Sequence, residues 1–165
     1  SMENFKGSIE LLHEYDKAKR QRLREQEDIV DRYQSQVDSY LLKVAQKTLT
    51  NEEKVLLAEG LQVVNEFERI ADHADNICDR AREMYKNGIR FSTSAMAEVD
   101  LLAEATEEIL GYAVQGYTER DGSLAERIDP LEEVIEIMVE LLKIRNNETV
   151  AYKHLTLTTK REGVA

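Results

Sequence analysis

The chain has 165 residues and a formal net charge of −11, with 42% hydrophobic and 33% charged residues. This length suffices for one sizeable core or for two small bundles that share one. The acidic balance argues against a nucleic-acid partner, because phosphate backbones are bound by clustered Lys and Arg, and it favours cations instead. Cys78 is the only cysteine, which excludes an intrachain disulfide and a thiolate zinc cluster.

Nothing in the chain has the sequence character of a membrane span, since no apolar run approaches the roughly 20 residues that cross a bilayer. Ser1 and Met2 are typical of a cloning scar in front of a fragment. We therefore expect any membrane-spanning segments of a parent protein to lie outside this chain.

The first part of the chain predicts two helices. Residues 8–48 contain neither glycine nor proline, and the most plausible break is at residues 14–16. The helices would then cover about 3–13 and 16–48, although a single unbroken helix stays open. In the second of them, apolar residues follow the three-four spacing of a buried helix face: Val30, Tyr33, Val37, Tyr40, Leu41 and Val44.

The third predicted helix has clear signals at both ends. Thr50 and Glu53 have the spacing of a capping box, in which each side chain accepts from a free backbone amide. The helix should run to about Lys86, where Gly88 can adopt the left-handed conformation that ends helices. A fourth helix should begin at Ser92 or Ser94.

The last predicted helix has two candidate starts. The fourth helix should end at residues 121–122, and capping patterns follow at 123–126 and again at 129–132, where Pro130 is suited to the first helical position. Either a short turn leads into the main helix, or the helix kinks at Pro130. No useful stretch alternates polar and apolar residues, so the sequence predicts an all-α fold without a sheet.

Acidic residues line one face of the third helix. At about 100° per residue, four of them fall within a stripe roughly 60° wide: Glu68, Asp72, Asp75 and Asp79. Each like-charge pair costs a few tenths of a kcal/mol (~0.2–0.5), and the arginines on the same helix relieve little of it. We therefore expect something positive over Glu68 and Asp72.

The second helix carries a matching acidic pair, Glu27 and Asp31, beside its apolar face. If helices two and three pack antiparallel, these four carboxylates share an edge and offer the oxygen ligands that Mg²⁺, Mn²⁺, Ca²⁺ or ferric iron prefer. Glu132 and Glu136 in the last helix have the same spacing and are weaker candidates for such a pair. From spacing alone, metal binding and a solvated acidic face both stay open.

Two of these segments carry a family resemblance. NEFERIADHADNI at 65–77 and REQEDIVDRY at 24–33 resemble acidic motifs of the PhoU family, including the PhoU-like C-terminal domains of bacterial sodium/phosphate cotransporter-type proteins. Residues 91–121 and 129–138 resemble the fourth and fifth helices of that family more faintly.

The resemblance implies an antiparallel helical bundle of two three-helix pseudo-repeats. The first would span 3–88, and the second would span 89–165, packed on the first and lacking its last helix, which is expected after residue 165. The implied metal is iron or another transition metal. Its implied ligands are Glu27, Asp31, Glu68 and Asp72, with weaker candidates: Asp75, Glu132 and Glu136.

The implied function is regulatory and not enzymatic. Such a domain would lie in the cytoplasm at the inner face of the membrane and modulate phosphate transport by contacting a transporter domain of the same or another chain. Metal would brace helices two and three, phosphate would bind only indirectly, and a homodimer is compatible. The alternatives are a carboxylate-bridged metalloenzyme in a helical bundle and a plain helical adaptor without metal.

Overall fold

A computed structural model describes the backbone of residues 1–162 and the side chains of residues 1–145. In this part of the chain, five α-helices and one short 3-10 helix are present and no strand occurs. The predicted all-α helical bundle fold is thereby confirmed. The chain divides into two compact units, Ser1–Ser92 and Thr93–Ala165.

The first unit begins with α1 (Met2–His13) and α2 (Lys17–Ala45), so the predicted break at residues 14–16 is confirmed. Asp16 adopts an extended conformation, and its carboxylate accepts a hydrogen bond from the backbone N–H of Lys19. This contact satisfies an amide that has no partner within the helix, which is why α2 starts here.

The third helix, α3 (Asn51–Asn87), forms the other half of a long hairpin with α2. Its predicted capping box is present: the Glu53 N–H donates to the Thr50 hydroxyl at 3.2 Å, and the Thr50 N–H donates to the Glu53 carboxylate at 2.8 Å. Gly88 follows with φ of 64°, the left-handed conformation that ends the helix.

Small residues on α3 let α1 and α2 pack closely beside it. Gly7 of α1 lies so near α2 that an added Cβ would be 2.6 Å from Leu23 Cδ2. The buried apolar residues of this unit are large on α1 and α2 and small on α3, so that the leucines pack against the small residues: Leu11, Leu23, Ala71, Ala74, Cys78 and Ala81.

The second unit contains α4 (Thr93–Glu119), a 3-10 helix (Gly122–Leu124) and α5 (Ala125–Glu162). Asp121 starts the 3-10 helix by accepting a hydrogen bond from the Ser123 N–H at 3.0 Å.

The start of α5 differs from one of the two sequence predictions. The lead-in turn exists as the 3-10 helix, but the helix is already formed at Ala125, and Pro130 lies inside it. Of the two candidate starts, the structure has the earlier one, and the capping pattern at 129–132 does not begin a helix. Leu124 is buried at 9% exposure and anchors the chain just before Ala125, and Pro130 removes only one backbone donor from the second turn.

None of the described helices combines the length and the apolar character that a bilayer-spanning segment needs.

Candidate functional site on the first helical unit

Two side-chain pairs fix which residues of the antiparallel helices α2 and α3 are level with one another. Gln34 Nε2 donates to Asn65 Oδ1 at 3.1 Å, and Arg20 Nη2 donates to Asp79 Oδ1 at 2.9 Å. Both helices rise by about 1.5 Å per residue. The two pairs therefore agree on one register, in which each step forward along α2 matches one step back along α3.

This register brings the predicted metal ligands together in pairs. Glu27 of α2 is level with Asp72 of α3, and Asp31 is level with Glu68. Glu27 and Glu68 are half-buried, whereas both aspartates are exposed. No group of three or more His, Cys, Asp or Glu side chains among the described residues is gathered closely enough to hold a metal ion as it stands.

These carboxylates belong to a longer line of charged residues along the edge where α2 and α3 meet, which we term the charged seam. On each helix its members follow the three-four spacing of a single face. Those on α2 are Lys17, Arg20, Arg24, Glu27 and Asp31, and those on α3 are Glu68, Asp72, Asp75, Asp79 and Arg82.

Glu27 experiences the crowding of negative charge most directly. Burial, together with the nearby charges of Asp31, Asp75 and Asp28 and a hydrogen bond with Asp31, raises the pKa of its carboxyl from 4.5 to about 7. Because Asp75 belongs to α3, the acidic flanks of the two helices do face each other, as the sequence predicts. A carboxyl pKa raised by neighbouring negative charges marks a place where a cation would be favourable.

The expected positive charge exists, but it lies one turn away from its predicted place. Arg20 Nη2 donates to Asp79 Oδ1 at 2.9 Å and to Asp75 Oδ2 at 3.3 Å. Its Nη1 lies 2.9 Å from Asp75 Oδ1, as a charge contact without hydrogen-bond geometry. The Arg20 side chain is 11% exposed. Asp75 is thus half of a protein ion pair, a role that does not require metal.

Arg20 is not among the predicted site residues, because only the arginines of α3 were considered as counter-charges to the acidic residues of that helix. A signal was present: Arg20, Arg24 and Glu27 share a face of α2 at three-four spacing. By contrast, Glu68 and Asp72 have no cationic side chain paired with them in the described part of the protein.

The weaker candidates in the second unit lie apart from any such arrangement. Glu132 and Glu136 are both exposed on α5. Neither belongs to a group with metal-binding geometry among residues 1–145, the range over which side chains are described.

Comparison with known proteins gives a family match for the first unit. The model of the PhoU domain family matches residues 1–81, a segment that includes α1, α2, most of α3 and the charged seam through Asp79. This match supports a relationship of the first unit to the PhoU family, and that family is linked to phosphate regulation. No curated protein and no solved structure matches the chain.

Proposed function

We propose that this protein is a PhoU-like regulatory domain, without enzymatic activity, that modulates phosphate transport and binds metal at the acidic end of its charged seam. The proposed ligands are two carboxylates from each helix: Glu27, Asp31, Glu68 and Asp72. The observation that carries the proposal is the α2–α3 register, which sets these residues level in pairs.

The uneven neutralisation of the acidic stripe supports a cation at this end. Arg20 compensates Asp75 and Asp79, whereas no described cationic side chain pairs with Glu68 or Asp72. Closely spaced like charges oppose helix packing, and a multivalent cation between the helices would remove that repulsion.

The chemistry of the donors fits the metals that the family resemblance implies. Carboxylate oxygens suit hard cations, including ferric iron and Mn²⁺. The ion would brace α2 against α3, so its binding free energy would add to the stability of this unit.

The PhoU domain match and the resemblance to cotransporter-type proteins support the proposed physiological setting. The domain would act in the cytoplasm at the inner face of the membrane, on a transporter domain of the same or another chain. Phosphate would be sensed through bound metal, because a carboxylate-lined edge repels the bare anion.

The metal proposal is tested by elemental analysis of protein purified without chelator and then supplied with Fe or Mn. Glu68→Gln/Asp72→Asn should bind much less metal than the wild type and should no longer gain melting temperature when metal is added. The control is Glu104→Gln/Glu108→Gln on α4, which removes two acids at the same helical spacing. Equal metal content in all three proteins, or none in the wild type, would favour the plain adaptor.

The regulatory proposal has its own measurement. Cells that produce the wild-type chain should differ in their initial rate of radiolabelled phosphate uptake from cells that produce Glu68→Gln/Asp72→Asn. The α4 control should behave as the wild type. An uptake rate that does not respond to any of these chains would contradict a role in phosphate transport.

A further inference from the structure

A concave surface at the opposite end of the charged seam has an unusual composition for this protein. Its volume is about 280 Å³, and it lies between the junction of α1 with α2 and the last turns of α3. The residues lining it include four cations and no carboxylate: Tyr15, Lys17, Arg20, Gln21, Arg24 and Arg82. The whole chain has 33 acidic and 22 basic residues, so this concentration of positive charge runs against the overall balance.

Most of this positive charge is not neutralised by the protein. Arg20 is paired with two aspartates, but Lys17, Arg24 and Arg82 are exposed and form no ion pair with a described residue. Some other cations of this unit do pair with acids, as in Lys19 with Glu10 and the i,i+3 pairs of α3. Unpaired like charges around one concavity repel each other, and an anion between them would relieve that repulsion.

The fold holds the walls of the concavity in place. Arg20 is fixed by its contacts of 2.9 Å to Asp75 and Asp79. Tyr15 is stacked against Tyr85 with 4.9 Å between ring centroids.

The same helix register places two of the free cations side by side. Continuing from the Arg20–Asp79 pair, Lys17 of α2 becomes level with Arg82 of α3. Arg24 lies one turn from Arg20 on the side away from Lys17, level with Asp75, and its side chain also lines the concavity. Charges from two helices therefore converge on one small volume.

We infer that this basic concavity binds a compact oxyanion that carries two or more negative charges. Guanidinium groups match the paired oxygens of phosphate and carboxylate groups, and three uncompensated cations favour a multivalent anion over a monovalent one. A phosphate-type and a carboxylate-type ligand share this chemistry. The inference rests only on residues of the basic end and is independent of the metal proposal.

Isothermal titration calorimetry of the whole chain tests this inference, with pyrophosphate and citrate as probes. The buffer is of low ionic strength and is freed of metal by resin, because a soluble chelator is itself a polyanion. Saturable binding is expected for at least one probe, and it should weaken as salt is added because the contacts are electrostatic. The tighter probe identifies whether the ligand is of the phosphate or the carboxylate type.

Variants then locate the site. Arg24→Gln/Arg82→Gln should weaken binding at least about tenfold, because it removes two guanidinium groups that make charge-assisted hydrogen bonds with the anion. Arg22→Gln is the matched control: Arg22 is exposed on α2 and has no described partner, but it lies about 200° around the helix from Arg24. Its affinity should stay within about twofold of the wild type.

Two results would overturn the inference. One is that neither probe shows saturable binding, and the other is that Arg22→Gln loses as much affinity as Arg24→Gln/Arg82→Gln. The helical signal in far-UV circular dichroism checks that each variant is folded. If the double variant loses helicity, Lys17→Gln is used in its place, because Lys17 is exposed at the start of α2. This substitution should weaken binding several-fold. Because no metal is present, failure here leaves the metal proposal standing, and the reverse also holds.

Discussion

The two ends of the charged seam are built on the same pair of helices but have opposite charge. At the acidic end, four carboxylates are level in pairs; at the basic end, three free cations surround a concavity. Between them, Arg20 pairs with Asp75 and Asp79, so the middle of the seam is neutralised by the protein itself. Arg20 is level with Asp79 and pairs with it, whereas Lys17 is level with Arg82 and Glu27 with Asp72, and these like-charged levels are the places where we propose that a solute binds.

The two ends also differ in what lies beneath them. A cluster of buried side chains that includes two leucines supports the basic end: Leu11, Leu23, Cys78 and Ala81. At the level of the acidic end, the buried residues of α3 are the small Ala71 and Ala74. The basic end therefore rests on a more extensive core, whereas the acidic end has less apolar packing to offset its charge repulsion.

The largest expected effect comes from breaking the core under the basic end. Leu11→Ala should lower the free energy of unfolding by about 2–5 kcal/mol, because Leu11 is 1% exposed and its removal leaves a cavity. Urea unfolding followed by circular dichroism measures this. The control Leu42→Ala, at a residue 58% exposed, should change stability by less than about 0.5 kcal/mol. Equal losses would contradict the proposed location of the core.

Removing the neutral middle of the seam should have the next largest effect. Arg20→Gln leaves Asp75 and Asp79 unpaired and should lower the free energy of unfolding by about 1–3 kcal/mol, a range reduced for the solvent exposure of Asp79.

A double-mutant cycle separates this charge effect from lost packing. Adding Asp75→Asn to Arg20→Gln removes one of the unpaired acids and should recover part of the stability, since the two residues are in contact. Strictly additive losses in the double variant would show that the ion pair contributes nothing measurable.

The acidic end should become less stable as pH rises. In the folded protein the pKa of Glu27 is raised from its ordinary value of 4.5 to about 7, so the folded state keeps a proton that the unfolded state has lost. The contribution of Glu27 is therefore fully present below pH 4.5 and is lost as pH rises through 7. Solvent screening at this half-buried group limits the change to about 1 kcal/mol.

Glu27→Gln provides the comparison for that prediction. Its stability relative to the wild type should increase between about pH 5 and about pH 8, as measured by urea unfolding at each pH. Parallel pH profiles for the two proteins would contradict the crowding of Glu27. Metal binding by the wild type should also weaken as pH falls through this range, because protons and metal compete for the same oxygens.

The smallest effect is expected for ion pairs outside the seam. Arg80 and Glu83 form an i,i+3 pair with side chains that are 78% and 59% exposed. Arg80→Gln should change the free energy of unfolding by less than about 0.5 kcal/mol. A decrease in the free energy of unfolding as large as that of Arg20→Gln would show that ion pairs in the charged seam stabilise the protein no more than ion pairs on the rest of the surface.

The sequence alone predicted the features that depend on neighbouring residues. The break before α2, the capping box at Thr50 and the end of α3 at Gly88 are as expected, since caps and glycine ends are decided within a few positions. The acidic stripe of α3 is likewise a consequence of helical periodicity. The metal ligands Glu27, Asp31, Glu68 and Asp72 stay a prediction.

Only the tertiary structure decided how α2 and α3 are aligned. That alignment gives Arg20 its two aspartates and brings Lys17 level with Arg82, creating the neutral middle and the basic end. The physical reason is that register depends on contacts between helices, as in those of Gln34 with Asn65 and of Arg20 with Asp79, and not on the spacing within either helix. Local pattern fixes which face a charge is on, and packing fixes which charge it meets.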